Sequence, residues 1–132
     1  MCYYVKDKRK MCSQYIHGGI MKLAIIGTEN LYITNIGAHI PAETNEIVLG
    51  DSSSICACAA EYANENGIVL AEILPMHSVY GKKATATRND FIAEYADEAL
   101  IFWDGRSRRI KTVIDHFKSY GKEVRVVVCE ER

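Results

Sequence analysis

At 132 residues and a formal net charge of -1, the chain has room for one hydrophobic core and is too short for two domains. Its 48% hydrophobic and 25% charged residues exclude wholesale disorder. Acidic and basic residues interleave, so there is no polyanion footprint and nucleic acid is not the expected partner. No apolar run approaches the roughly 18 residues a membrane-spanning helix needs, and the expected setting is the cytoplasm.

Residues 1–20 differ in character from the rest of the chain. Lys6, Lys8, Arg9 and Lys10 lie among Tyr3, Tyr4 and Tyr15, without the apolar stretch of a secretory signal and without a helix or strand period. His17-Gly18-Gly19-Ile20-Met21 is what a purine-rich ribosome-binding stretch encodes when it is read in frame into a start codon. The expectation is that residues 1–20 are a leader with a mis-assigned start, and that the domain spans 21–132. The alternative is a short basic extension that packs on the domain or on a partner. Mass spectrometry of the natively expressed chain separates the two.

From Met21 onward, strand-like and helix-like segments alternate. Leu23 to Ile26 is a short apolar run ended by Gly27, as in a strand buried on both faces. Ile33, Ile36 and Ile40 recur at helical spacing before Pro41 stops the segment. Glu46 to Leu49 reads as a second strand, ended by Gly50. Ser52, Ser53 and Ser54 then offer N-caps for a helix with Ile55, Ala59, Tyr62 and Ala63 on its inner face, and Gly67 suits its C-terminus. Ile68 to Leu74 is the third strand. A polar connector, Met76 to Thr87, leads to a helix past Phe91, Ile92 and Tyr95. Ala99 to Trp103 is the fourth strand. Ser107 caps a last helix striped by Ile110, Val113, Ile114 and Phe117, and Val124 to Val128 is the fifth strand. Strands separated by crossover helices predict an α/β fold: a Rossmann-like three-layer sandwich around a five-stranded, mainly parallel sheet.

In such sheets, ligands sit outside the carboxyl ends of the strands, where strand order reverses. That rule nominates Gly27 and Thr28 after the first strand, with Glu29 beside them. It nominates Gly50 with Ser52, Ser53 and Ser54 after the second, and Trp103, Asp104, Gly105, Ser107 and Arg108 after the fourth. Serines entering a helix offer hydroxyls and unpaired amides at the positive end of a helix dipole, which suits phosphate; they equally serve as plain caps. Trp103 either stacks on a base or closes the end of the core. Arg88 and Asn89, at the start of the third long helix, either present a guanidinium to the crevice or are ordinary helix-start residues. Glu29 and Asp51 are the candidate acid/base pair, with solvated loop carboxylates as the alternative.

Other chemistry is sparse. The five cysteines include no C-x-x-C pair, and Cys56 and Cys58 point to different sides of a helix, so no metal site is expected. His39, His77 and His116 have no cysteine or carboxylate partner by spacing and read as surface residues. No cofactor is expected. A homodimer is an open possibility, with Tyr62, Phe91, Tyr95 and Phe117 as candidate contact residues.

Several stretches together resemble the YspA/YpsA-related branch of the SLOG superfamily. They are Arg88-Asn89-Asp90, Tyr95-Ala96-Asp97, Ala99 through Gly105 (Ala-Leu-Ile-Phe-Trp-Asp-Gly), Ser107-Arg108 and Ile114-Asp115. Glu61-Tyr62-Ala63 through Gly67-Ile68, then Leu74-Pro75 and Tyr80-Gly81-Lys82, are similar too, so the likeness covers roughly Met21 to Val128. Its most specific part is the Arg-Asn pair followed by Phe-Trp-Asp-Gly-x-Ser-Arg. The resemblance implies a Rossmann-like domain that binds nucleotides or nucleotide-derived ligands. Relatives include the cytokinin-activating phosphoribohydrolases (LOG proteins), a DNA-processing family and nucleoside deoxyribosyltransferases.

The chain departs from that pattern. Where the family carries a Gly-Gly-Ala-x-Gly-x-Asp-like loop, it reads Gly50 through Cys56 with two glycines missing and Cys56 in place of the acid. Where the family favours Gly-Thr, it has Arg109-Ile110, and where the LOG enzymes place a catalytic glutamate shortly afterwards, it has Lys111 and Thr112. Losing a carboxylate that would stabilise an oxocarbenium-like sugar argues against hydrolysis. The expectation is a binder of a nucleotide or phosphoribosyl ligand, acting as a sensor or non-catalytic module. The alternatives are a nucleoside-monophosphate N-glycosidase and a protein–protein or DNA-associated module.

Overall fold

Runs of apolar residues without polar alternation become parallel strands, because a strand covered on both faces has no polar side. The computed structural model describes residues 2–3, 20–51 and 53–129. Its strands are β1 (Cys2–Tyr3), β2 (Met21–Gly27), β3 (Thr44–Leu49), β4 (Val69–Glu72), β5 (Glu98–Trp103) and β6 (Glu123–Val128). The α-helices are α1 (Ser54–Glu65), α2 (His77–Tyr80), α3 (Ala84–Tyr95) and α4 (Arg108–Ser119), with 3-10 turns at Ile36–His39 and Gly81–Lys83.

The sheet order is β1-β6-β5-β2-β3-β4. The five strands β2 to β6 are all parallel, and β1 adds a two-residue antiparallel pairing on β6, with Cys2 opposite Val127. This is the α/β, Rossmann-like three-layer arrangement that the alternation of segments predicts. Apart from β1, the expectation about residues 1–20 lies outside the described residues, as does that for Ser52. Among the described residues no helix is long and apolar enough to cross a membrane.

Strand alternation divides the core in two. On one face Leu23, Ile25, Ile47, Leu100 and Phe102 meet Ile55, Ala59 and Ala63 of α1, together with Leu31, Ile36 and Ile40. On the other, Ala24, Val48, Ala99 and Ile101 meet Ile92 and Ala93 of α3 and Ile110, Ile114 and Phe117 of α4. The chain moves outward from β2 to β3 and β4, then returns to the other side of β2 as β5. The order therefore reverses between β2 and β5, and that point organises the candidate site.

Local departures from the sequence-based expectations have physical causes. The helix expected around Ile33 to Ile40 is only the 3-10 turn Ile36–His39: Ile33, Thr34 and Asn35 are poor helix formers, and so short a stretch does not repay nucleation. The connector from Met76 is mostly helical, and α3 begins at Ala84, three residues before Thr87. Gly81, at φ 56, ends α2 and opens the 3-10 turn that leads into α3. Phe117 is 1% exposed and belongs to the core, so it is not a contact residue for a second copy. His116 is not a plain surface histidine: Nε2 pairs with the Asp90 carboxylate.

Candidate functional site

At the carboxyl edge of the sheet, a hollow of about 1030 Å³ opens between the start of α1 and the first turns of α3 and α4. Gly50, Asp51, Ser53 and Ser54 line one wall, Arg88 and Arg109 line another, and Glu29 and Glu72 reach it from neighbouring strand ends. A Cβ on Gly50 would lie 2.7 Å from Ile92 Cδ1 and 2.9 Å from Arg88 Cδ, so any larger residue would push these two α3 side chains aside.

Arg88 is the unusual group. It is only 6% exposed, yet it lines the hollow. Its Nη1 donates to the Gly50 carbonyl, and its Nε donates to Asn89 Oδ1 at 2.8 Å. Burial pulls the guanidinium pKa down, and the Asp51 carboxylate pulls it back up. Asn89 thus orients Arg88 and does not itself line the hollow.

Facing Arg88 is the entrance to α1. Ser53 is its N-cap, with Oγ accepting from the Cys56 amide at 3.3 Å, while the Ser53 amide donates to Asp51 Oδ1 at 2.9 Å. The first helical amides, those of Ser54 and Ile55, have no acceptor within the helix and sit at its positive end. Burial tends to raise the Asp51 carboxyl pKa. Hydrogen bonds from Ser53 and Cys56 and the Arg88 charge outweigh it and hold the group below the usual carboxylate range. Asp51 is therefore an ionised acceptor at neutral pH and a poor general acid. Burial pushes the Cys56 thiol to about 11, with Asp51 adding to the rise, so it is no nucleophile there.

The remaining predicted residues lie at the same sheet edge but do not line the hollow. Gly27 serves packing, since a Cβ would come within 2.4 Å of Ile55 Cγ1. Thr28 clasps the switch point: its amide donates to the Phe102 carbonyl at 2.9 Å, and its hydroxyl accepts from the Asp104 amide at 3.2 Å. After β5, Asp104 Oδ1 accepts from the amides of Arg106 and Ser107, both at 2.8 Å; the Ser107 amide, then that of Arg106, holds its carboxyl below the usual range. The Trp103 indole donates to the Ser107 carbonyl at 3.0 Å, and Ser107 Oγ caps α4 through the Ile110 amide. Gly105 takes the turn at φ 80. Arg108 is exposed on the first residue of α4.

Arg109 lines the hollow too, although in the sequence it stands out only as a departure from a family motif. The available signal is its place two residues after the capping Ser107, on a first turn that starts beside a strand end. Among the described residues, no group of three or more His, Cys, Asp or Glu is placed to hold a metal. Comparisons with protein-family models, curated proteins and solved structures find no match.

Proposed function

We propose that the hollow binds a nucleotide or a phosphoribosyl ligand and that the domain acts as a sensor or non-catalytic binder. The observation carrying this reading is the buried guanidinium of Arg88 set across one hollow from the serine-capped start of α1. Two cations and a helix start favour a phosphate, while the acceptors Asp51, Glu29 and Glu72 suit sugar hydroxyls. The SLOG-like motifs point the same way. Free thiols at Cys56, Cys58 and Cys129 fit a reducing, cytoplasmic setting.

The test is thermal shift and calorimetry against nucleoside mono- and diphosphates and ribose 5-phosphate. A ligand present at a hundredfold excess over its Kd adds about 2.7 kcal/mol, a shift of several degrees that Arg109→Ala reduces. No shift with any of them at millimolar concentration overturns the reading. Because Glu29 and Asp51 line the same hollow, the N-glycosidase reading keeps one specific support. Release of free base that disappears in Glu29→Gln and Asp51→Asn would establish it.

A further inference from the structure

α3 and α4 are the same length but differ in kind. α4 buries Ile110, Val113, Ile114 and Phe117 on one side and is polar on the other. α3 buries Ile92 and Ala93 against the sheet, yet Phe91 and Tyr95, on the flank that meets Ile73 and Leu74 after β4, stand 50% and 41% exposed, Tyr95 keeping a hydroxyl bond to the Glu46 carboxylate and Lys22 Nζ 4.4 Å over its ring. An apolar stripe that runs on from the buried face of a helix into solvent leaves that flank to be covered.

The neighbourhood shares this character. Of eleven large apolar residues exposed among the described residues, eight fall between Val69 and Tyr95. Leu74, Met76, Tyr80, Phe91 and Tyr95 line an apolar hollow of about 310 Å³, and β4 beside it is the outermost strand of the sheet. Without Leu70, which pairs with Ile47 and so points to the α1 side of the sheet, the other seven leave on the order of 700 Å² uncovered at their fractional exposures. That exceeds the roughly 300–600 Å² of the largest patch on a typical monomer and approaches the ~800 Å² each partner contributes to a stable dimer.

We infer that this face pairs with the same face of a second copy, the two α3 helices packing antiparallel about a two-fold axis. Charge selects that occupant. Lys83 precedes α3, Glu94 lies eleven residues later near its end, and both are exposed. Eleven residues are close to three helical turns, so the two charges flank the Phe91–Tyr95 stripe on the same side. Antiparallel helices related by a two-fold bring like flanks together, which sets Lys83 against Glu94 of the partner subunit at both ends. The dipoles of the two helices then oppose as well. Leu74 and Arg88 line both hollows, so the paired face adjoins the polar hollow. Pairing of the two copies requires no ligand in that polar hollow.

Sedimentation of the full chain without ligand, from 1 to 100 µM (on the order of ordinary working concentrations for such dimers), is the test. The expected mass is twice the 14.8 kDa of the chain. Phe91→Glu should give monomer with an unchanged far-UV circular dichroism spectrum. Lys83→Glu should weaken the dimer about tenfold and addition of Glu94→Lys should restore it; this exposed pair keeps the test decisive if Phe91→Glu fails to fold. A wild-type chain that stays monomeric throughout, or a dimer indifferent to both Phe91→Glu and the charge swap, overturns the proposal.

Discussion

The chain after β3 and the chain after β5 leave parallel strands at the same edge of the sheet. Each enters a helix through a capping serine, Ser53 or Ser107, and each carries an aspartate with a lowered pKa. They diverge in where their polar groups point. After β5, Asp104, Trp103 and Ser107 spend their hydrogen bonds on one another, and the loop becomes a closed cap for α4. After β3, Asp51 and Ser53 bond within their turn as well, but Gly50, Asp51, Ser53 and Ser54 also border a hollow that holds two guanidiniums. Equivalent positions in a fold thus do not carry equivalent chemistry. A polar loop serves a ligand to the extent that its own turn leaves donors and acceptors unspent.

The largest effect should come from Gly50→Ala. The added Cβ meets Ile92 and Arg88 at under 3 Å, which should cost about 3 kcal/mol in urea denaturation and displace Arg88, abolishing nucleotide-induced stabilisation. Next, Arg109→Ala should weaken phosphate-ligand affinity roughly tenfold, about 1.4 kcal/mol. Stability should stay within about 0.5 kcal/mol, because the side chain is exposed. Ser107→Ala should do the reverse, losing about 1 kcal/mol of stability with the cap while calorimetry returns an unchanged ligand affinity. Should Ser107→Ala alter affinity as much as Arg109→Ala, the contrast between the two loops breaks.

The smallest effect is one that the loops share. Both aspartates take up a proton more readily unfolded than folded. Their contribution is present above the ordinary carboxylate range, near pH 4, and is lost as pH falls through their lower folded values. Asp51→Asn and Asp104→Asn should each flatten the acid limb of stability against pH. Only Asp51→Asn should also change how ligand affinity depends on pH, which sharpens the comparison.

Much of the architecture is legible in the sequence. The α4 stripe, the Ser53 and Ser107 caps, the five strands and their parallel pairing follow from periodicity and from residues a few positions apart. The failures are also local in origin: three isoleucines at helical spacing suggest a helix where β-branching and Asn35 leave only one 3-10 turn. The candidate site is legible in part. Gly50, Ser53, Ser54 and Arg88 line the hollow together with Glu29 and Asp51, and the strand-end rule nominates the loops bearing five of these six. That rule cannot say which groups at an edge are already used. Thr28 looks like a ligand residue on paper and in fact joins β2 to β5 through Phe102 and Asp104.

Alternation of apolar segments, turn residues and caps was enough to specify an α/β sandwich with a polar edge, since each depends on neighbours within about one helical turn. Three things waited on long-range packing: the burial of Arg88 against Gly50, thirty-eight residues away, the entry of Arg109 into the same hollow, and the exposed Phe91–Tyr95 flank of α3. Each depends on how closely separate elements approach, a distance set by core side chains on several strands and helices at once.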